Sequence, residues 1–187
     1  MIIDGIKDIV KKACENPENV FSQAFFDEHL LVVEKFGKEL CGILEGDCEI
    51  VSLSSYLHDI SAVFDIKTIA SHNVNSSEIA ETMLKQQGYP SEKIEKVKNS
   101  IQKHPSPLKI NEGSNEEVCL SNADAMSQIV NPSYWLFFAF KIRSMSFTEG
   151  KKWYLAKIES NWNSIIESAK ELVEDRYLKV KESLMQI

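Results

Sequence analysis

Apolar residues recur at spacings of three and four along almost the whole 187-residue chain, and no stretch alternates with the period of two that a half-buried strand needs. That pattern confines the chain to an all-α fold, in which helices bury apolar stripes against one another. Segment 21–44 sets Phe26, Leu30, Val33, Leu40 and Leu44 on one side, with Gly42 and Gly46 flanking its end. Segment 49–60 repeats the pattern with Ile50, Leu53, Leu57 and Ile60. Asn75 and Glu78 are spaced like a capping box ahead of Ile79, Met83 and Leu84, and Gly88 suits the end of that helix. Ser91 stands where the next cap belongs; its stripe is Ile94, Val97 and Ile101, ended by Pro105 and Pro107. A further helix runs from about Glu116 to Val130, and Pro132 opens the apolar run "SYWLFFAFKIRSM". From Glu149 a long segment carries Leu155, Ile158, Trp162, Ile165, Ala169, Leu172 and Val180 and is broken at most once. The expectation is a bundle of seven to nine helices.

Length and an apolar fraction of 43% fit one domain with a sizeable core. The densest apolar run, Tyr134 to Phe140, falls far short of the roughly 20 residues that cross a bilayer. The N-terminus lacks the basic start and unbroken apolar centre of a signal peptide. No membrane association and a cytoplasmic location are therefore expected. A net charge of −7 argues against broad nucleic-acid binding, which needs a basic footprint. It leaves room for a small phosphorylated partner, because a metal ion supplies positive charge locally. Cys14, Cys41, Cys48 and Cys119 form no C-x-x-C pair and fall mostly among apolar helix positions, which predicts buried free thiols.

The residues with ligand chemistry are distributed in order. His29 lies within one helix, His58 and Asp59 in the last turn of the next, His72 ahead of the third, His104 at the end of the fourth, and Asp124 on the fifth. A His-Asp dipeptide alone is weak, since composition gives about 0.2 such pairs by chance. Each residue also has an ordinary reading: His29 as a satisfied core histidine, Asp124 as a polar helix face, His72 as loop, His104 as a helix C-terminal cation. Together those readings demand four independent accidents in one order. Imidazole nitrogen with carboxylate oxygen suits Mn²⁺, Fe²⁺, Co²⁺, Ni²⁺ or Zn²⁺. A carboxylate with two oxygens allows Asp59 to bridge a metal pair, which shares a hydroxide and neutralises phosphate charge when the ions sit about 3.5–4 Å apart.

The order H…HD…H…H…D resembles the HD-domain superfamily of metal-dependent phosphohydrolases. "EHLLVVEKFGKEL" is similar to the first-histidine helix of that family, "SYLHDI" to its His-Asp element, and "LSNADAM" to its late Ala-Asp element. The stretch "SHNVNSSEIAETMLKQQGYPSEKIEKVKNSIQKH" is similar to the part that carries two further histidines. The resemblance covers about residues 21–130 in detail and implies a single HD domain over 1–187, with helices 131–187 packing on the metal-ligand core. It implies His29, His58, Asp59 and Asp124 as ligands of a first metal, His72 and His104 completing a second, Asp59 bridging, and one or two divalent ions (Mn, Fe, Co, Ni, Zn or Mg) as cofactor.

The chain departs from the family pattern after the pair, where Gly-Lys is usual and "HDISAVFDIK" stands here. Asp65 and Lys67 are therefore the candidates to replace the usual polar groups, with His72 or Asp65 handling a proton. "GYP" at 88–90 reads as a helix joint, and Pro105 stands where binuclear signalling phosphodiesterases carry a second histidine, so a cyclic-dinucleotide role is not supported. The implied activity is hydrolysis of a small phosphate ester or nucleotide phosphate. Lys67, Lys141 and Arg143 are candidates to meet its charge, although the last two read more simply as solvent-facing. Tyr134, Trp135, Phe137 and Phe138 read as core rather than as a base-stacking shelf. Two rivals share the ligand set: a di-iron oxygenase of the HD fold, and a non-catalytic metal-stabilised binding module.

Overall fold

The computed structural model describes residues 2–185. Among them there is no strand, and eight helices have ten residues or more: α1 (Ile2–Cys14), α2 (Leu31–Leu44), α3 (Cys48–Leu57), α5 (His72–Gln86), α6 (Ser91–Lys103), α7 (Asn115–Val130), α9 (Phe147–Ser164) and α10 (Glu167–Met185). Two short pieces, α4 (Ile60–Phe64) and α8 (Pro132–Phe137), complete the α-helical set. No described helix is long and apolar enough to cross a membrane.

Helix α7 is the axis. Glu116 to Ile129 are buried without a break, and α2, α3, α6, α9 and α10 all pack on it. Many of its polar side chains are satisfied internally. Asn122 donates to the carbonyls of Leu108 and Val118 and accepts from the Ile166 amide, and Ser121 Oγ accepts from the Leu108 amide. Burial without partners would cost each of these groups about 1–3 kcal/mol. Ser114 and Glu117 form a reciprocal capping box at its start, as Ser146 and Glu149 do for α9.

Local details differ from the sequence expectation for identifiable reasons. Asn75 lies inside α5, which begins at His72, so Asn75 and Glu78 do not cap it; Asn75 instead donates to Ser71 Oγ. Ser91 is the first helical residue rather than the cap, and Pro90 precedes it in extended backbone. The left-handed residue that ends α2 is Glu45 (φ 56°), not one of the flanking glycines, while Gly88 (φ 69°) does end α5. The C-terminal segment breaks once, at Ile165–Ile166, and the break resets its phase. The inward stripe of α10 runs Ala169, Val173, Tyr177, Val180 and Leu184, which leaves Leu172 exposed.

The expectation of four free thiols is also corrected. The turn after α2 brings Cys41 to Cys48, and the two are joined as a disulfide with Cα atoms 5.7 Å apart. Cys14 and Cys119 are free and buried. Burial pushes the pKa of each of these two thiols up to about 12, Glu15 and Asp27 adding to the effect for Cys14 and Glu116 for Cys119.

Two π turns interrupt the regular geometry. One spans Phe26–Leu30 and runs directly into α2, with the Leu31 amide bonded to the Phe26 carbonyl. The other spans Phe138–Ile142 and ends where the Arg143 amide bonds the Phe138 carbonyl at 3.0 Å. Each inserts one residue and rotates the chain beyond it, a device common at functional sites.

Helices α2 and α3 approach closely at Gly37. A Cβ there would lie 2.8 Å from Val51 Cγ1 and 3.3 Å from Ser55 Oγ, and Val51 is β-branched and stiff. Gly37→Ala should therefore destabilise by about 1–2 kcal/mol, as overpacking of about 1–3 kcal/mol outweighs a helix-propensity gain of up to about 1. A denaturant midpoint equal to or above that of the parent protein would show that the two helices separate freely.

Candidate metal centre

His29 sits in the first π turn, which points its ring into the bundle beneath Phe25, stacked on it at 4.8 Å. His58 ends α3 and Asp59 precedes α4; Asp59 (φ −112°, ψ 9°) breaks the helix between them. That break turns the Asp59 carboxylate alongside the His58 ring instead of about 100° away from it, as in a continuous helix. His72 opens α5, His104 closes α6, and Asp124 projects from the middle of α7. Five separate segments thus deliver six side chains to one point.

The protons of the imidazoles can be assigned from their partners. Nδ1 of His58 lies 2.9 Å from the Ser55 carbonyl, Nδ1 of His72 2.8 Å from that of Ile69, and Nδ1 of His104 2.6 Å from that of Ile101. A carbonyl only accepts, so each Nδ1 carries the proton. The His29 Nδ1 faces Ser127 Oγ at 2.9 Å, and that hydroxyl donates its own proton to the Asp124 carbonyl at 2.7 Å, so His29 donates as well. In their neutral forms, rings so held turn bare Nε2 lone pairs to the centre. These meet in pairs, His29 with His58 at 3.1 Å and His72 with His104 at 3.1 Å. Between neutral rings with Nδ1 protonated, neither contact is a hydrogen bond; the lone pairs then face each other, and a cation would reconcile them.

The Asp59 carboxylate divides between the two pairs. Its Oδ2 lies 3.5 Å from His29 Nε2 and 3.4 Å from His58 Nε2. Its Oδ1 lies 3.4 Å from His72 Nε2 and 3.9 Å from His104 Nε2. Asp124 Oδ1 joins the first pair, at 3.5 Å from His29 and 3.8 Å from His58. Donors held about 2.0–2.2 Å from one ion lie roughly 3.0–3.5 Å from each other, so the spacing and the N/O composition fit divalent metal at both ends of the carboxylate.

Electrostatics agree with that arrangement. Burial alone would raise the Asp59 pKa, but His58, the contact with His29, and the neighbouring His72 and His104 together hold it well below the usual carboxylate range. Burial lowers the His58 pKa against the pull of Asp59 and Asp124, and burial with the neighbouring His58 takes His104 down to about 4. Burial favours the neutral form of these two rings, which is the form in which imidazole ligates.

Several supporting groups carry no signal in the sequence. Gln128 Nε2 donates at 3.0 Å to both Asp124 oxygens, and its own Oε1 accepts from Asn161 of α9 at 2.9 Å. Ser61, at the position where the family pattern differs, is a structural joint. Its amide donates to Ser76 Oγ, its hydroxyl to the His72 carbonyl, and Thr68 and Ser76 donate to its oxygen.

A cavity of about 250 Å³ opens onto Asp59, His72, His104 and Asp124. The structure does not bring Asp65 or Lys67 to it. Both are exposed, with Asp65 accepting from the Lys67 amide to cap the short 3-10 turn Ile66–Ser71. Lys141 lines a different surface depression, whereas Arg143 does line the metal-facing cavity. Trp135 and Phe138 are buried, yet both also form part of the cavity wall.

A family model described as "HD domain" matches residues 26–129 of this chain. A crystal structure described as a predicted HD superfamily hydrolase, from an uncultured Thermotogales bacterium, has the same fold. It aligns with a TM-score of 0.65 and 20% identity, covering 98% of this chain and 89% of that one. No curated protein matches the chain.

Ser127 gives the most direct test of ring orientation. Ser127→Ala removes the acceptor of the His29 Nδ1 proton and should weaken divalent-cation binding about 10- to 100-fold while the helical circular dichroism is retained. Calorimetric titration with Mn²⁺ reads this; an unchanged affinity would mean that the ring is oriented by packing alone.

Proposed function

The chain belongs to the HD-domain family, and from that membership we propose that it is a metal-dependent phosphohydrolase acting on a small phosphate ester or nucleotide phosphate. The observation that carries the reading is the convergence of four histidine Nε2 atoms, in two pairs, on the two oxygens of Asp59. On this reading His29, His58, Asp59 and Asp124 would hold a first divalent ion, and Asp59 with His72 and His104 would hold a second. Ions held there supply Lewis-acid polarisation of water and neutralisation of phosphate charge.

The rest of the chemistry belongs to the chain itself. The carbonyls of Ser55, Ile69 and Ile101 and the Ser127 hydroxyl hold the four rings in one tautomer. Gln128 keeps Asp124 from rotating by gripping both of its oxygens. Phe25 and Trp135 flank His29 and keep bulk water from its ring, which strengthens every interaction inside. His72, the one partly exposed histidine of the set, faces the open side from which a substrate enters.

Phosphate release from a panel of phosphomonoesters, diesters and nucleoside triphosphates, with Mn²⁺ and with EDTA, tests the reading. Metal-dependent release from at least one class is expected. Iron in the isolated protein with oxygen-dependent turnover, and silence on every phosphate, would replace it with the oxidative alternative.

The two ligand groups should also separate by mutation. Asp59→Ala should abolish turnover and bound metal with the fold retained, since it removes the group common to both ends. His104→Ala should lower metal stoichiometry from two to one. Metal content and activity near the parent values in Asp59→Ala would refute the assignment.

A further inference from the structure

The far wall of the metal-facing cavity comes from residues beyond the 26–129 match: Trp135, Phe138 and Arg143, and then Trp153 and Lys157 of α9. Two cations stand on this wall. Lys157 Nζ lies 5.9 Å from the centre of the Trp135 ring, and the Arg143 guanidinium 5.4 Å from that of Trp153. Among the described residues neither forms a salt bridge or a hydrogen bond. The chain has 28 acidic residues to 21 lysines and arginines, so the lack of partners is not for want of carboxylates. Burial lowers the Lys157 pKa, Asp124 and Asp59 oppose the fall, and Arg143 adds to it, so the two cations sense each other across the cavity. Lys157 is half-buried and Arg143 exposed at the cavity rim, neither in a salt bridge, so an anion placed between them and the metal-ligand cluster meets both charges.

The surface between them is aromatic. Trp153 lies nearly parallel to Phe138, with ring centres 5.9 Å apart and planes 25° from each other. Trp153 is half-buried, so part of its ring is available for contact. A cavity of about 250 Å³ lies under the roughly 300–1,000 Å³ of drug-sized sites and suits a single small ester rather than a polymer.

Resting on the phosphohydrolase reading, we propose that this wall selects the substrate, and that the substrate is a phosphomonoester carrying a planar aromatic ring. Its phosphate is held between the Asp59 cluster and Lys157, its ring lies along Trp153, and Arg143 covers the rim. A lysine ammonium meets a phosphate as a compact point charge. A ring laid on Trp153 replaces water on an apolar face, which an aliphatic ester cannot do.

The test uses the Mn²⁺-loaded protein with a nucleoside monophosphate, phenyl phosphate and glycerol phosphate. Binding is followed by calorimetry and by tryptophan emission, and turnover by phosphate release. The two ring-bearing esters should bind at least about tenfold more tightly than glycerol phosphate and quench tryptophan emission. Lys157→Met should weaken all three by about tenfold or more. Trp153→Leu should weaken only the ring-bearing pair and remove the quenching, and Lys141→Met, whose side chain lines another depression, should change nothing.

A nucleotide preferred over phenyl phosphate would mean that the wall reads a nucleotide; equal binding would mean that the ring alone is read. Equal affinity for all three esters, no binding of any, or indifference to Lys157→Met would overturn the proposal. Ring-selective binding through Lys157 without metal-dependent hydrolysis would keep the wall as a ring-selective phosphomonoester site and remove the phosphohydrolase reading. Hydrolysis without ring selectivity would do the reverse.

Discussion

Each of the four histidines gives its Nδ1 proton to a fixed acceptor, and that leaves four bare Nε2 atoms packed around one carboxylate. Such a cluster is unfavourable in isolation, because lone pairs face each other at 3.1 Å in a site where three of the four rings are buried. It is stable only if the helices behind it are rigid enough to hold the rings in place, and much of the architecture serves that end. The close α2–α3 contact at Gly37 sets His29 and His58 on neighbouring rods. The Ser61 joint ties α4 to the start of α5 and so fixes His72. Asp124 is steadied from behind by Gln128, which is itself held by Asn161 of α9.

That last chain of contacts gives the C-terminal helices a double role. Tyr154 and Asn161 dock α9 on the carbonyls of α7 beside Asp124, and one turn away Trp153 and Lys157 face the cavity. A segment outside the family match thus buttresses one ligand and shapes the space in front of all of them. The π turn before Arg143 belongs to the same construction, since it rotates the chain after Phe138 so that the guanidinium reaches Trp153.

The helical fold and the ligand set are legible in the sequence because both rest on spacing: apolar stripes three and four apart, and ligand-type residues in a fixed order. Much else is hidden for physical reasons. Helix α7 is buried on all sides yet rich in Ser, Asn, Gln and Glu, so its position as the axis leaves no apolar signal. The π turns depend on tertiary packing and have no local signature. Only proximity in sequence singles out Asp65 and Lys67, and the extended backbone at Asp65 carries both to the exposed side. Lys141 and Arg143, two residues apart, point to nearly opposite sides of a helix, and the sequence does not reveal which side meets the cavity. The Cys41–Cys48 link depends on the left-handed Glu45, which composition does not reveal.

In the proposed phosphohydrolase, Asp59 would join two cation sites, one with His29, His58 and Asp124 and one with His72 and His104. A crystal structure of the protein grown with Mn²⁺, with anomalous differences recorded, tests it most directly. Two peaks are predicted, one against each oxygen of Asp59. A single peak away from Asp59, or none beside the four Nε2 atoms, would rule that arrangement out.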